Sequence, residues 1–171
     1  MNRTTLRNVK CGIIMTVVIL MISVVPVTAQ SEEPERSLEG VWLVRITPRN
    51  CVTGVPIPAA AFESLFTFHE GGTMSAWVQG SVITTTRSPA HGLWRREIGW
   101  SGYSFKFVHL RYDLATGMFT ARQENAGTLV MGESGDEFMT DASGRSFDAN
   151  GNALPGGSCS NSVGTRFKLE P

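Results

Sequence analysis

The sequence predicts an all-β protein: an eight-stranded antiparallel up-and-down barrel behind an N-terminal export signal. Three observations carry that expectation. Eight segments alternate with a period of two and are punctuated by Gly, Asp and Asn. No stretch of ten or more residues carries a capped helical stripe. The two ends of the chain also match: Gly40-Val41-Trp42 opens the first strand, Gly164-Thr165-Arg166-Phe167 lies in the last, and each end carries one cysteine, Cys51 and Cys159. In a sheet closed on itself, the first and last strands are neighbours, and these cysteines fall side by side at the seam.

Residues 1–29 read as a signal peptide. Arg3, Arg7 and Lys10 form a positive start, Ile13 to Val25 is apolar apart from Thr16 and Ser23, and Pro26 breaks the run before Val27-Thr28-Ala29, which suits signal peptidase. The apolar run of about 13 residues is short of the roughly 20 that span a bilayer, so cleavage is expected over anchoring. Cys11 precedes the run, whereas a lipidated cysteine would follow it. The chain is therefore expected to be exported, to the periplasm or the extracellular space, with no stable membrane insertion after cleavage. Residues 30–37 are polar, contain Pro34 and read as a flexible lead-in, and residues 38–171 read as a single barrel domain. Removing 29 of 171 residues leaves 142, enough for one domain with its own core. The leader takes three of 15 Lys+Arg and none of 15 Asp+Glu, leaving 12 against 15 and a net charge of −3. No basic run survives, so nucleic acid is not an expected partner.

The leader also takes one of the three cysteines. Two remain in an exported chain, which favours a Cys51–Cys159 disulfide. It would close a loop of over 100 residues, worth about 4–5 kcal/mol on the chain-entropy argument. A pair of free thiols for metal or redox work is the competing reading, but no third ligand-type residue accompanies either cysteine.

The strands follow in order. The first, 39–47, begins at the Gly-x-Trp and runs into a Pro- and Gly-rich connection carrying Cys51. Ala59-Ala60-Ala61 suggests no more than a short helical turn. In the second, 62–69, Glu63 faces out and places Phe62, Ser64, Phe66 and Phe68 inside. Glu70-Gly71-Gly72 turns into the third, 72–79, and the long segment from Gly80 to His91 leads to the fourth, 92–98. Gly99-Trp100-Ser101-Gly102 joins it to the fifth, 103–113, where an outward Lys106 sets Tyr103, Phe105, Phe107, His109 and Arg111 on the inner face. The sixth and seventh, 117–132 and 137–148, are joined through Glu133-Ser134-Gly135-Asp136, and Gly127 and Gly144 are expected to mark bulges or kinks. Thr120, Arg122 and Glu124 share a face that is expected to point outward; pointing inward, it would offer Arg122 to an anionic ligand. Residues 149–161 carry Cys159 into the last strand, 162–170. All the long connections then open at one rim, opposite an end with shorter turns.

With these residues in place, the Gly-x-Trp of the first strand and Arg166 on the last resemble the calycin superfamily, the lipocalins and their lipocalin-like relatives. The resemblance implies that Trp42 packs at the closed end of the barrel with Arg166 across its indole, a cation–π contact of about 0.5–2 kcal/mol. It covers the two end strands and the strand count. The central hairpins carry no lipocalin motif, and no helix follows the last strand. An eight-stranded barrel similar to the allene oxide cyclase or dirigent type, or a sandwich, is the alternative. The chain is also similar to bacterial exported proteins of unassigned role, which bears on fold and not on function.

The interior supplies the candidate site. Phe66, Phe68, Tyr103, Phe105, Phe107, His109 and Arg111, with Trp77 and Trp94 from the short third and fourth strands, would line a cavity suited to a flat or greasy small molecule. The same aromatics would equally fill a core, since eight strands are just wide enough for either. His69 reads as exposed at a hairpin edge, His91 as a rim residue, and His109 as inward, either a core histidine or a ligand contact or general base. No metal-like spacing, nucleophile context or cofactor motif stands out. Asp148-Ala149-Asn150-Gly151-Asn152 reads as a turn, not a calcium loop.

Three functions remain open on the sequence. The first is an exported barrel binding a small hydrophobic molecule. The second is a filled structural or protein-interaction barrel, whose mark would be an outer apolar patch such as Val108, Leu110 and Tyr112. The third is a cofactor-free cyclase or isomerase using His109, Tyr103 or Arg111; a non-enzymatic role is the favoured expectation.

Overall fold

The computed structural model describes residues 37–78, 85–99 and 101–169; the leader and nearly all of the lead-in lie outside these residues. Among the described residues nine strands follow one another: β1 (Gly40–Arg49), β2 (Phe62–Phe68), β3 (Thr73–Val78), β4 (Thr85–Arg87), β5 (Ala90–Arg96), β6 (Gly102–Asp113), β7 (Phe119–Met131), β8 (Glu137–Phe147) and β9 (Ser158–Arg166). Among the described residues the only helical element is a 3-10 turn at Pro58–Ala60. β1 pairs with both β2 and β9, and the order closes through a β6–β7 pairing, so eight strands form a closed antiparallel barrel. The short β4 continues the line of β5 along β6. Closure leaves no long edge strand exposed among the described residues.

Two strands begin well before the sequence reading places them, and the last also ends earlier, at Arg166 instead of residue 170. The fourth strand starts earlier, as β4 and β5 interrupted at Ser88-Pro89, where proline has no N–H to give the ladder. Ser88 bridges the gap: its N–H donates to the Leu110 carbonyl at 2.9 Å, and its hydroxyl accepts the Leu110 N–H at 3.0 Å. The last strand also starts earlier, at Ser158 instead of residue 162. Ser158, Cys159, Ser160 and Asn161 have weak strand propensity, yet they are paired with β8, and from Cys159 onward with β1 as well. Pairing on both sides outweighs intrinsic preference. Gly127 and Gly144 mark no bulge, because the β7–β8 register runs unbroken through both. The irregularity lies instead between Arg111 and Tyr112 on β6.

The lower half of the barrel is solid. Trp42, Phe68 and Phe138 pack together, with Trp42–Phe138 ring centroids 4.8 Å apart and Phe68–Phe138 6.1 Å apart. Phe68 also meets Trp94 at 6.0 Å, and Trp94 meets Tyr103 at 5.7 Å. Leu38, Met74, Leu129 and Met131 complete this buried layer. Leu38 tucks under the barrel because the Trp42 indole N–H donates to its carbonyl at 2.9 Å.

Arg166 caps the layer from below, its guanidinium carbon 4.3 Å from the Trp42 ring centre. Its nitrogens donate to the carbonyls of Ser37 and Glu39, each at 2.6 Å, and of Gly135 at 2.9 Å. The chain can cross here only because residue 40 is glycine. Its φ is +124°, and a Cβ would sit 3.0 Å from an Arg166 nitrogen.

At the opposite rim, Cys51 and Cys159 are disulfide-bonded with their Cα atoms 5.3 Å apart, at a sequence separation of 108. The β1–β9 register sets Arg49 opposite Cys159, and a turn capped by the Asn50 side chain, which accepts the Val52 and Thr53 N–H groups at 2.8 and 2.9 Å, brings Cys51 back to it. The bond fits an oxidising compartment.

Candidate functional site

Above the solid layer the barrel opens into a cavity of about 200 Å³. Alternation along each strand determines which side chains reach it. On β6 the inner row runs Tyr103, Phe105, Phe107, His109; on β2 it runs Phe62, Ser64, Phe66, Phe68. Phe66, Phe105 and Phe107 form the aromatic floor. Phe105 and Phe107 are near-parallel, 6.1 Å apart, and Phe66 meets Phe107 edge-on at 5.7 Å. Ile46, Phe62 and Ala142 add apolar wall, and Arg87, His109, Gln123, Asn125, Ser158 and Ser160 supply the polar part.

The candidate residues separate into layers. Phe66, Phe105, Phe107 and His109 line the cavity. Phe68, Trp94 and Tyr103 do not: they belong to the filled layer beneath, where they contact one another in place of open space. Trp94 is fixed there by its indole N–H, which donates to the His69 carbonyl at 3.0 Å. Trp77 is on the wrong side of the wall. Met74 and Ala76 take the inner positions of β3, so the period of two turns Trp77 outward, 58% exposed. Arg111 keeps the inner phase but sits higher, in a shallow recess that shares Gln123 and Ser158 with the cavity.

His69 is exposed, bonded to the Ser75 hydroxyl at 3.0 Å, and His91 is exposed on the barrel wall instead of the rim. Arg122 and Glu124 form surface ion pairs with each other at 3.1 Å and, for Glu124, with Lys106 at 2.8 Å. The Asp148 carboxylate accepts the Asn150 and Asn152 N–H groups at 2.9 and 2.8 Å, holding a turn.

His109 is 2% exposed, and neither ring nitrogen has a hydrogen bond of good geometry among the described residues. Gln123, its register partner on β7, is close enough to favour the charged ring, but its amide N–H groups go to Asn125 at 3.2 Å and Ser158 at 3.3 Å. Burial, then the charges of Arg87 and Arg111, outweigh that help and push the imidazole down to about 4. The ring is neutral at physiological pH. Burial and then Arg111 also lower the Arg87 pKa.

Sequence reasoning missed Arg87, Gln123, Asn125, Ser158 and Ser160 as cavity residues. Arg87 and the two serines lay in segments that read as loops. Gln123 and Asn125 continue the inner row begun by Ala121, and that phase was the available signal. Gly144 is also part of this rim: a Cβ there would lie 2.4 Å from the Asn125 side-chain oxygen and 2.5 Å from the Ser158 hydroxyl, so glycine makes room for both. No family model matches the chain, and no curated protein matches it.

Proposed function

We propose that this is an exported, lipocalin-like barrel that carries one small, largely apolar molecule in its upper half. The observation that carries the reading is the change in packing half-way up the barrel. Aromatic side chains fill the base and then stand apart around a space of about 200 Å³. A dry apolar cavity of about 150 Å³ accepts benzene, so this one has room for a ring with a small substituent. The Arg166–Trp42 closure at the base supports the lipocalin-like reading, and the disulfide supports export to the periplasm or beyond.

Catalysis is the weaker reading of the same cavity. A general base works best with a pKa near the working pH, and an imidazole held at about 4, with no orienting carboxylate among the described residues, is a poor one.

Native mass spectrometry of the protein, exported through its own signal and gently purified, tests the carrier. A reproducible small-molecule adduct lost on denaturation is expected. A protein that stays bare after incubation with a mixed hydrophobic extract would overturn the reading.

One observation favours an interaction module as the second reading. Leu43, Leu65 and Trp77 are directly paired neighbours on the outer wall and are 44%, 46% and 58% exposed. Light scattering of the bare protein separates the two, since a module docking through that row associates and a carrier need not.

A further inference from the structure

The cavity lining divides by strand. Phe66 on β2 and Phe105 and Phe107 on β6 make one wall apolar, whereas Gln123 and Asn125 on β7 and Ser158 on β9 make the adjoining wall polar. The β6–β7 register sets Phe107 beside Asn125 and His109 beside Gln123, so His109 stands where the two walls meet. Its ring continues the phenylalanine stack, with its centroid 6.5 Å from that of Phe107 and the planes 28° apart.

A purely apolar ligand leaves this corner unused. His109 is 2% exposed, and neither ring nitrogen has a hydrogen bond of good geometry among the described residues. Gln123 gives its amide N–H groups to Asn125 and Ser158, at 3.2 and 3.3 Å. Only its carbonyl remains for the ring, close enough to favour the charged form but outside good hydrogen-bond geometry. A buried polar group without a partner is unfavourable, so a ligand that supplies one gains affinity. Nothing of good geometry pins the ring, and the Cβ–Cγ torsion of histidine is broad, so a nitrogen can turn to the cavity.

A charged head does not fit the corner. Among the described residues no Asp or Glu lines the cavity, and Arg87, which does, is not a free cation. The imidazole itself is neutral at physiological pH. An ion taken from water into such a site goes uncompensated. A neutral imidazole has one donor and one acceptor, and a hydroxyl matches either nitrogen because it both gives and accepts a hydrogen bond. The volume of about 200 Å³ limits the body to a single ring.

We propose that the cavity takes an uncharged phenol, its ring against Phe105 and Phe107 and its hydroxyl on His109. The inference rests on the cavity being a ligand site. Water holds the hydroxyl of a phenol far more strongly than it holds any part of toluene. Walls that are only apolar therefore favour toluene, and a preference for phenol requires a polar partner inside.

Chemical-shift titration of the exported protein, its histidine rings isotopically labelled, with phenol, toluene and benzoate tests the proposal. Phenol is expected to bind about fivefold tighter than toluene, as one net hydrogen bond gives. Benzoate, ionised at neutral pH, should bind more weakly than phenol. Phenol should move the ring-nitrogen resonances of His109 further than toluene does, and leave those of the exposed His69 and His91 in place. His109→Phe should abolish the preference for phenol. Toluene binding as tightly as phenol, or more tightly, would overturn the phenol proposal and leave the carrier standing. Benzoate binding tightest, or a preference for phenol that survives His109→Phe, would do the same. If none of the three binds, both fall. The ligand comparison and the ring resonances need no variant, so a misfolded substitution would not obscure the result.

Discussion

His109→Phe converts the orphaned imidazole into a ring of similar shape with no titration. The imidazole's ordinary value is 6.5, and in the folded protein it falls to about 4, first through burial and then through Arg87 and Arg111. Above pH 6.5 the ring is neutral whether folded or not. Between 6.5 and about 4 the unfolded chain takes up a proton that the native state refuses, so stability falls as pH falls and levels off below about 4. The full difference is worth about 3 kcal/mol, or about 2–3 kcal/mol when the cavity beside the ring admits solvent. At pH 7 the variant should already gain about 1 kcal/mol from removing two unsatisfied nitrogens. Urea unfolding of both proteins at pH 7, 6, 5 and 4 reads the prediction. The gap should widen by about 2–3 kcal/mol as pH drops. The lowered carboxylates, Asp113, Asp136 and Asp148 among them, are common to both proteins and cancel in the difference. Stability curves that run parallel from pH 7 to 4 would refute the claim that His109 is buried neutral.

Further tests address the frame around the cavity. Arg166→Met loses the indole contact, the charged hydrogen bonds to three carbonyls and the Asp136 ion pair, and should cost about 3–5 kcal/mol in urea unfolding. Arg166→Lys should recover less than half of that, because an ammonium cannot stack and reach Ser37, Glu39 and Gly135 together. Replacing both Cys51 and Cys159 by Ser should lower stability by about 4 kcal/mol, and reducing the unmodified protein should reproduce the loss. Phe107→Ala should destabilise by about 3–5 kcal/mol and weaken every cavity ligand. Trp77→Ser should stay within about 0.5 kcal/mol and leave binding unchanged, because that side chain is outside the wall; a loss of binding there would mean the β3 facing is inverted.

Much of the frame was legible because it depends on local periodicity and on chain ends. The β6 alternation around Lys106 placed five inner residues in phase, and the Gly-x-Trp with Arg166 marked the closed end. What was not legible depends on pairing. Trp77 could not be assigned a side from a six-residue strand until Met74 and Ala76 were seen buried. Arg87 was hidden because Ser88-Pro89 breaks the local strand signal, and its place in the sheet is visible only through the pairing of β4 with β6. The serines at 158 and 160 read as loop because propensity cannot register that β8 and β1 flank them. The boundary between filled base and open cavity was also beyond sequence, since the same phenylalanines serve both and only their stacking separates Phe68 from Phe66.

The central claim is that the upper half of this barrel holds a small molecule. A crystal structure of the exported protein with bromobenzene tests it most directly, because bromine marks its own position by anomalous scattering. The expected result is one bromine peak inside the barrel, against Phe105 and Phe107. A barrel in which the same rings have closed over the space, with no bromine between them, would contradict it.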